Sequence, residues 1–215
     1  MKKTLLILIW AVAFSTYTYG QETPDEKGNV MLEMADGRIL QGWNRTDFKN
    51  DNKTIKFTTL EGERVNYEIE EVNKVVFLSD STEYVKVGII PYLMKKTPTS
   101  DKWVRVEYRG NGITIYSRYL AGKRAYNNPN SYQQVKQRNY YIQLGDDPAM
   151  MVTSEYYAGG VANLKATNRK QLQYYFKKKY PQYADFAKRI KEKEFETVGM
   201  PLEVVKAWEA EYAGK

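Results

Sequence analysis

The sequence predicts an α+β protein: an N-terminal antiparallel β module, then a second β segment followed by three short C-terminal helices. Three observations carry this reading. From about residue 29 to 90, short apolar runs alternate with polar residues and are separated by turn residues. The two-residue period returns from about 103 to 155. Beyond about 167 the apolar spacing lengthens to that of a helix.

Residues 1–20 are read as a secretory signal. Lys2 and Lys3 form a positive start, Thr4 to Phe14 is apolar, and Thr18 and Gly20 are small enough to flank a cleavage site. The apolar run is about eleven residues, short of the roughly 20 that span a bilayer. No Cys follows it, so no lipid anchor is expected. The expected product is exported to the periplasm or the cell exterior.

The first β module is placed at 21–90, opening with a polar leader to Gly28. Val30 to Met34 and Arg38 to Trp43 flank Asp36-Gly37, a pair that tolerates the positive φ of a hairpin turn. Asn50-Asp51-Asn52 is a second turn. Lys53 to Thr58 alternates with Ile55 and Phe57 on one face, and Val65, Tyr67 and Ile69 alternate after Glu61-Gly62-Glu63. Val72 to Leu78 and the stretch holding Tyr84, Val87, Ile89 and Ile90 complete a small sheet, sandwich or partial barrel. Residues 91–102, with two prolines, read as a linker or long loop.

In the second unit, 103–215, Val104, Val106 and Tyr108 face one way and Trp103, Arg105, Glu107 and Arg109 the other. Gly110-Asn111-Gly112 turns the chain into a strand with Ile113 and Ile115 on one side and Thr114, Tyr116 and Arg118 on the opposite side. Ala121 to Gln134 lacks periodicity and reads as loop. Tyr140 to Leu144 and Met150 to Val152 pair around Gly145 to Pro148, and Gly159-Gly160 reads as a hinge. Thr167 or Asn168 is expected to cap a helix reaching Tyr180, where Pro181 interrupts it. A second helix spans about 182–194. Pro201 starts a third, with Leu202, Val205, Trp208 and Tyr212 on one stripe.

Composition narrows the chemistry. The chain has no His and no Cys, which excludes Ser-His and Cys-His nucleophile pairs, His-metal sites and thiolate zinc sites. No cofactor-binding motif and no metal-ligand pattern stands out, so neither cofactor nor metal is expected. Catalysis would have to rest on Asp, Glu, Lys, Tyr or Ser, and an enzyme is the less favoured reading. The whole chain carries +7 with both signs interspersed. A nucleic-acid partner, which would need a localised basic stripe in a protein not bound for export, is not expected. Tyrosine is the positive anomaly: 13 of 19 fall between Tyr108 and Tyr183.

Gly37 to Gly42, Ile55-Lys56-Phe57, Tyr67 to Val72 and Val75-Val76-Phe77 resemble the first half of a group of small exported Bacteroidota proteins of uncharacterised function. Gly110 to Tyr116, Tyr175-Phe176 and Tyr180-Pro181 are similar to its second half. The resemblance implies an envelope or surface setting in a Gram-negative host and brings no functional residue. Asp80-Ser81-Thr82 also matches a short O-glycosylation pattern of that phylum; a plain polar turn is the alternative.

Trp103, Arg105, Tyr116, Arg118 and Tyr141 form the candidate binding face, where aromatic rings and guanidinium groups could meet sugars or carboxylates. The alternative places these residues beneath the C-terminal helices as core. Lys177, Lys178, Lys179, Lys188 and Arg189, with Lys191 and Lys193 beyond them, form a basic cluster that would attract anionic lipid or polysaccharide unless it is only a solvated helix face. Asp146 and Asp147 could offer oxygen ligands or, with Glu155 or Glu107, acid–base carboxylates, though a turn explains them as well. The expected function is non-catalytic binding of a protein or glycan partner in the envelope. The alternative is a carboxylate-dependent glycoside hydrolase acting on envelope glycans.

Overall fold

Alternating apolar residues build strands here because each strand has one face to bury. The computed structural model describes residues 28–45, 53–90, 101–126, 128–158 and 164–213. Residues 1–20, the leader to residue 27, the Asn50-Asp51-Asn52 turn, residues 91–100 and the Gly159-Gly160 hinge lie outside the described residues.

The strands are β1 (Gly28–Met34), β2 (Ile39–Asn44), β3 (Thr54–Thr59), β4 (Arg64–Glu68), β5 (Val72–Phe77), β6 (Glu83–Val87), β7 (Ile89–Ile90), β8 (Lys102–Arg109), β9 (Ile113–Tyr126), β10 (Asn128–Leu144) and β11 (Ala149–Ala158). They form one sheet in the order β4-β3-β2-β1-β5-β6-β8-β9-β10-β11-β7. Three helices follow: α1 (Leu164–Tyr174), α2 (Ala184–Lys191) and α3 (Leu202–Tyr212). The α+β class with a β-rich N-terminal part is therefore the observed one.

The first hairpin turns at Gly37, whose φ of 86° is accessible to glycine at little cost. After β4, a 3₁₀ turn over Ile69–Glu71 returns the chain to β1, and the Ala35 N–H donates to the Glu71 carbonyl at 2.7 Å. β5 then pairs antiparallel with β1. Val30, Leu32, Ile55, Phe57, Val72 and Val75 fill the concave side of this five-stranded module.

Beyond β5 the sheet curls the other way. β6 pairs with β8, and β8 to β11 follow as antiparallel neighbours. β11 then pairs in parallel with β7, through Ala149 opposite Ile89 and Met150 opposite Ile90. Because β7 continues β6 across Gly88, this pairing closes a five-stranded barrel. A run of five strands that alternate in direction can close only through a parallel pair. Val85, Val87, Ile89, Val104, Val106, Tyr116, Tyr141, Ala149 and Met151 fill the interior. Five strands enclose less than the eight that leave just enough room for side chains, so the barrel is a packed core.

The outer wall of the barrel is covered on two sides. Tyr84 and Trp103 point out of β6 and β8 into the core of the N-terminal module. Ile113, Ile115, Ile142, Met150 and Val152 meet Leu172, Phe176, Phe186, Ile190, Val205 and Trp208 of the helical layer.

Three sequence expectations change. β6 and β7, assigned to the first module, belong equally to the barrel, so no boundary falls at residue 90. Of Ala121 to Gln134, read as loop, the described residues are strand: β9 and β10 pair from Leu144–Ile113 out to Tyr132–Ala125 and, past a register shift, Asn128–Tyr126. The segment carries none of the apolar alternation that marks a half-buried strand. Finally, α1 begins at Leu164, so Asn168 is not its cap. Asn168 is instead buried, accepting from the Ser154 N–H at 3.1 Å and donating to the Ser154 carbonyl at 3.0 Å. Its amide stands in for a strand partner where β11 has passed the end of β7. The helix widens into a π turn over Tyr175–Lys179 before Pro181 ends it, and Val204, Val205 and Trp208 bury the stripe of α3.

Candidate functional site

The face of the N-terminal module opposite its core is built by the same alternation that fills the core. With Val30, Leu32, Ile55 and Phe57 turned inward, Asn29, Met31, Gln41, Trp43, Lys56, Thr58, Arg64 and Asn66 turn outward. Register aligns them in rows. Leu78, Asn29, Trp43, Thr58 and Arg64 cross five strands in one row. Arg45, Lys56 and Asn66 form the next row, where the Arg45 Nη2 donates to Asn66 Oδ1 at 3.1 Å. Val76, Met31 and Gln41 form the row on the other side.

Trp43 is 48% exposed, whereas Trp103 and Trp208 are 4% and 5% exposed. A flat indole flanked by amides, a hydroxyl and three cations can stack on a ring and hydrogen-bond its substituents. Gly42 makes the position possible: a Cβ there would overlap the Thr58 carbonyl oxygen and reach within 2.5 Å of the Phe57 ring. That glycine lets β2 lie close over Phe57 while its neighbour Trp43 faces solvent.

The five residues expected to share a binding face do not form one exposed surface. Trp103 and Arg105 point outward from β8, opposite Lys86 and Tyr84 respectively. Trp103 is buried in the N-terminal core, where Lys86 Nζ lies 5.5 Å from its ring centroid. Burial there lowers the Lys86 pKa. Arg105 Nε lies 3.6 Å from Glu107, whose carboxylate accepts from Ser117 at 2.5 Å. Tyr116 and Tyr141 sit opposite each other and are both buried inside the barrel. The Tyr116 hydroxyl donates to Gln143 at 2.6 Å, and burial raises its pKa. Arg118 lies two residues beyond Tyr116 on that strand, opposite Asn139. The two-residue period assigned faces correctly in β8 only as far as Val106; a register shift between Val106 and Tyr108 turns Tyr108 to the side of Ile115 and the helical layer, away from Val104 and Val106. What the period could not supply is that Trp103 and Arg105 of β8 point out of the barrel while Tyr116 of β9 points into it. The helical layer also covers neither tyrosine, so the core alternative is right about burial but not about what buries them.

The basic cluster is likewise partly consumed. Arg189 bonds to Glu194 at 2.7 Å and to Glu211, and it lies 5.5 and 5.3 Å from the Phe186 and Phe195 ring centroids. Lys179 folds over Tyr180, 5.1 Å from its centroid, and Lys188 pairs with Asp185 at 2.9 Å. Lys177 and Lys178 are exposed.

Of the carboxylates considered for hydrolysis, Asp147 just before β11 and Glu155 within it are well apart. Asp147 accepts from the Tyr180 hydroxyl at 2.5 Å, and that bond holds its carboxyl below the ordinary range. Glu155 accepts from Tyr140 at 2.9 Å. Seven steps of extended chain separate Pro148 from Glu155, roughly 23 Å at ~3.3 Å per step. A glycosidase pair needs about 5–10 Å. Among the described residues, no group of three Asp or Glu is placed to hold a metal ion. Ser81 is exposed at a turn with φ of 59°, and both Asp80 oxygens are engaged by Thr82.

The Trp43 face was not found by sequence reasoning. Its signal was present in the polar residues Asn29 and Gln41 beside it, but the apolar Ile39 and Trp43 obscured the alternation of β2. The chain matches no family model, no curated protein and no solved structure. No helix among the described residues is long and apolar enough to cross a membrane.

Proposed function

We propose that this is an exported, non-catalytic binding protein of a Gram-negative envelope, and that its Trp43 face holds a glycan. The observation that carries the reading is the half-exposed indole of Trp43 with Asn29, Thr58, Arg45, Lys56, Arg64 and Asn66 in register around it. The exposed large apolar side chains of this face, Ile39 and Leu78, are separated from Trp43 by Gln41 and Asn29, and Met31 and Val76 of the adjoining row are half-buried. A protein partner would call for a contiguous apolar patch. A sugar needs one ring face and several hydrogen-bonding groups, which is what this face offers.

The test is binding of the purified chain without residues 1–20 to an array of peptidoglycan fragments and lipopolysaccharide core oligosaccharides. Trp43→Ala is expected to weaken a bound glycan by roughly thirtyfold, about 2 kcal/mol for a central tryptophan contact. Unchanged glycan affinity in Trp43→Ala, or binding to no glycan on the array, contradicts the reading.

A further inference from the structure

β8 pairs with β9 as far as Ser117, and β11 pairs with β10 as far as Lys136. β9 and β10 continue to pair with each other out to Tyr126 and Asn128. Among the described residues, Gly122–Tyr126 and the facing part of β10 up to Val135 have no strand on either outer side. The barrel therefore extends into a two-stranded ribbon of about 14 Å, four steps at ~3.4 Å each.

The charge of the chain concentrates at this ribbon and its root. Residues 118–138 hold Arg118, Lys123, Arg124, Lys136 and Arg138 and no Asp or Glu. The chain has 33 Lys and Arg against 26 Asp and Glu, a net charge of +7. Five of the excess charges lie in this segment and the other two are Lys2 and Lys3. Over the rest of the chain 26 basic and 26 acidic residues cancel in sum. The interspersed charge of the whole sequence thus conceals one localised basic arm. Register sets Lys123 opposite Gln134, Arg124 opposite Gln133, and Lys136 opposite Ala121.

We infer that the β9–β10 ribbon is a docking arm for an anionic polysaccharide, a site separate from the Trp43 face. Protection of open strand edges would be served by charges of either sign, and it does not explain the complete absence of carboxylates. Insertion into a lipid surface needs an apolar face, and Leu120 and Val135 are the only Leu, Ile, Val, Met, Phe or Trp residues in the segment. Addition of an acidic peptide as a strand draws specificity from side-chain pockets as well as from charge, whereas this segment offers a run of cations. A linear polyanion asks only for cations along its path, and Tyr119, Tyr126 and Tyr132 add ring faces that suit sugars.

The probe is polygalacturonate, titrated against the chain without residues 1–20 at low and high salt, with uncharged dextran as control. Binding to polygalacturonate alone, weakening as salt rises, is expected. The triple variant Lys123→Gln, Arg124→Gln, Lys136→Gln should bind about tenfold more weakly, each charge contributing a small increment. The pair Lys123→Arg, Lys136→Arg should retain binding, which separates loss of charge from loss of structure. The comparison triple Lys177→Gln, Lys178→Gln, Lys188→Gln removes the same charge from the helical layer and should change affinity less than about twofold. Equal losses in the two triples would overturn the assignment, since net charge alone would then explain binding. So would absence of binding at low salt, or tighter binding of poly-glutamate, anionic vesicles or duplex DNA than of polygalacturonate at matched salt.

Discussion

Replacing Asn168 by Leu tests how the open edge of β11 is satisfied. Asn168 is buried, and its amide meets both the N–H and the carbonyl of Ser154. Leucine has nearly the same size and shape but neither donor nor acceptor. The substitution leaves two buried backbone groups without partners, at about 1–3 kcal/mol each. Offset by the gain from burying an apolar side chain, the net loss should be about 2–4 kcal/mol. For a chain of this size that lowers Tm by roughly 5–15 °C. Thermal unfolding followed by circular dichroism reads it directly. Asn168→Asp adds a sign test. One oxygen can still accept from the Ser154 N–H, but at neutral pH the other faces the Ser154 carbonyl without a proton. The folded state therefore favours the protonated acid and raises the introduced group's pKa. Its destabilisation should be present at neutral pH and should shrink as pH falls through that raised value. An Asn168→Leu variant within about 1 kcal/mol of the parent would refute the strand-substitute role.

Other consequences follow from the packing and the charges. Gly42→Ala should cost about 1–3 kcal/mol by overpacking, because the obstruction is the Thr58 backbone as well as the Phe57 ring; an unchanged urea midpoint would show that β2 can move away. Trp208→Ala should cost about 3–5 kcal/mol, since the indole is buried with its ring centroid 5.3 Å from that of Tyr183; parental melting would contradict its place in the core. Glu209 accepts from the Tyr108 hydroxyl at 2.6 Å and from the Asn111 N–H, and these bonds lower its pKa. A lowered folded pKa contributes stability above the unfolded value, lost as pH falls through the folded one. Glu209→Gln should therefore reduce the loss of stability below about pH 4.5, and an acid transition identical to the parent's would contradict the linkage.

Local features were legible where one physical cause decides them. The Asp36-Gly37 turn, the inward Ile55 and Phe57, and the α3 stripe ending in Trp208 all follow from φ preference or period. The closure of the barrel was not legible, because Ile89 and Ile90 meet Ala149 and Met150 some sixty residues later without any local signature. The ribbon was hidden for a different reason: its two strands carry no apolar period to detect. The expected binding face failed at the step from strand to sheet. Tyr116 and Tyr141 do share a face, but closure turns that face inward, and the N-terminal module covers Trp103. The chemistry sought there, an aromatic ring among cations, occurs at Trp43 instead.

Trp43 offers the most direct test of the proposed function. Without residues 1–20 the chain keeps Trp43, Trp103 and Trp208, and only Trp43 is substantially exposed. Acrylamide quenching of the intrinsic fluorescence therefore reports chiefly on Trp43. A glycan seated on this face should protect the quenchable fraction, and Trp43→Ala should remove that fraction in the free protein. A saturating glycan that leaves quenching unchanged would contradict the account.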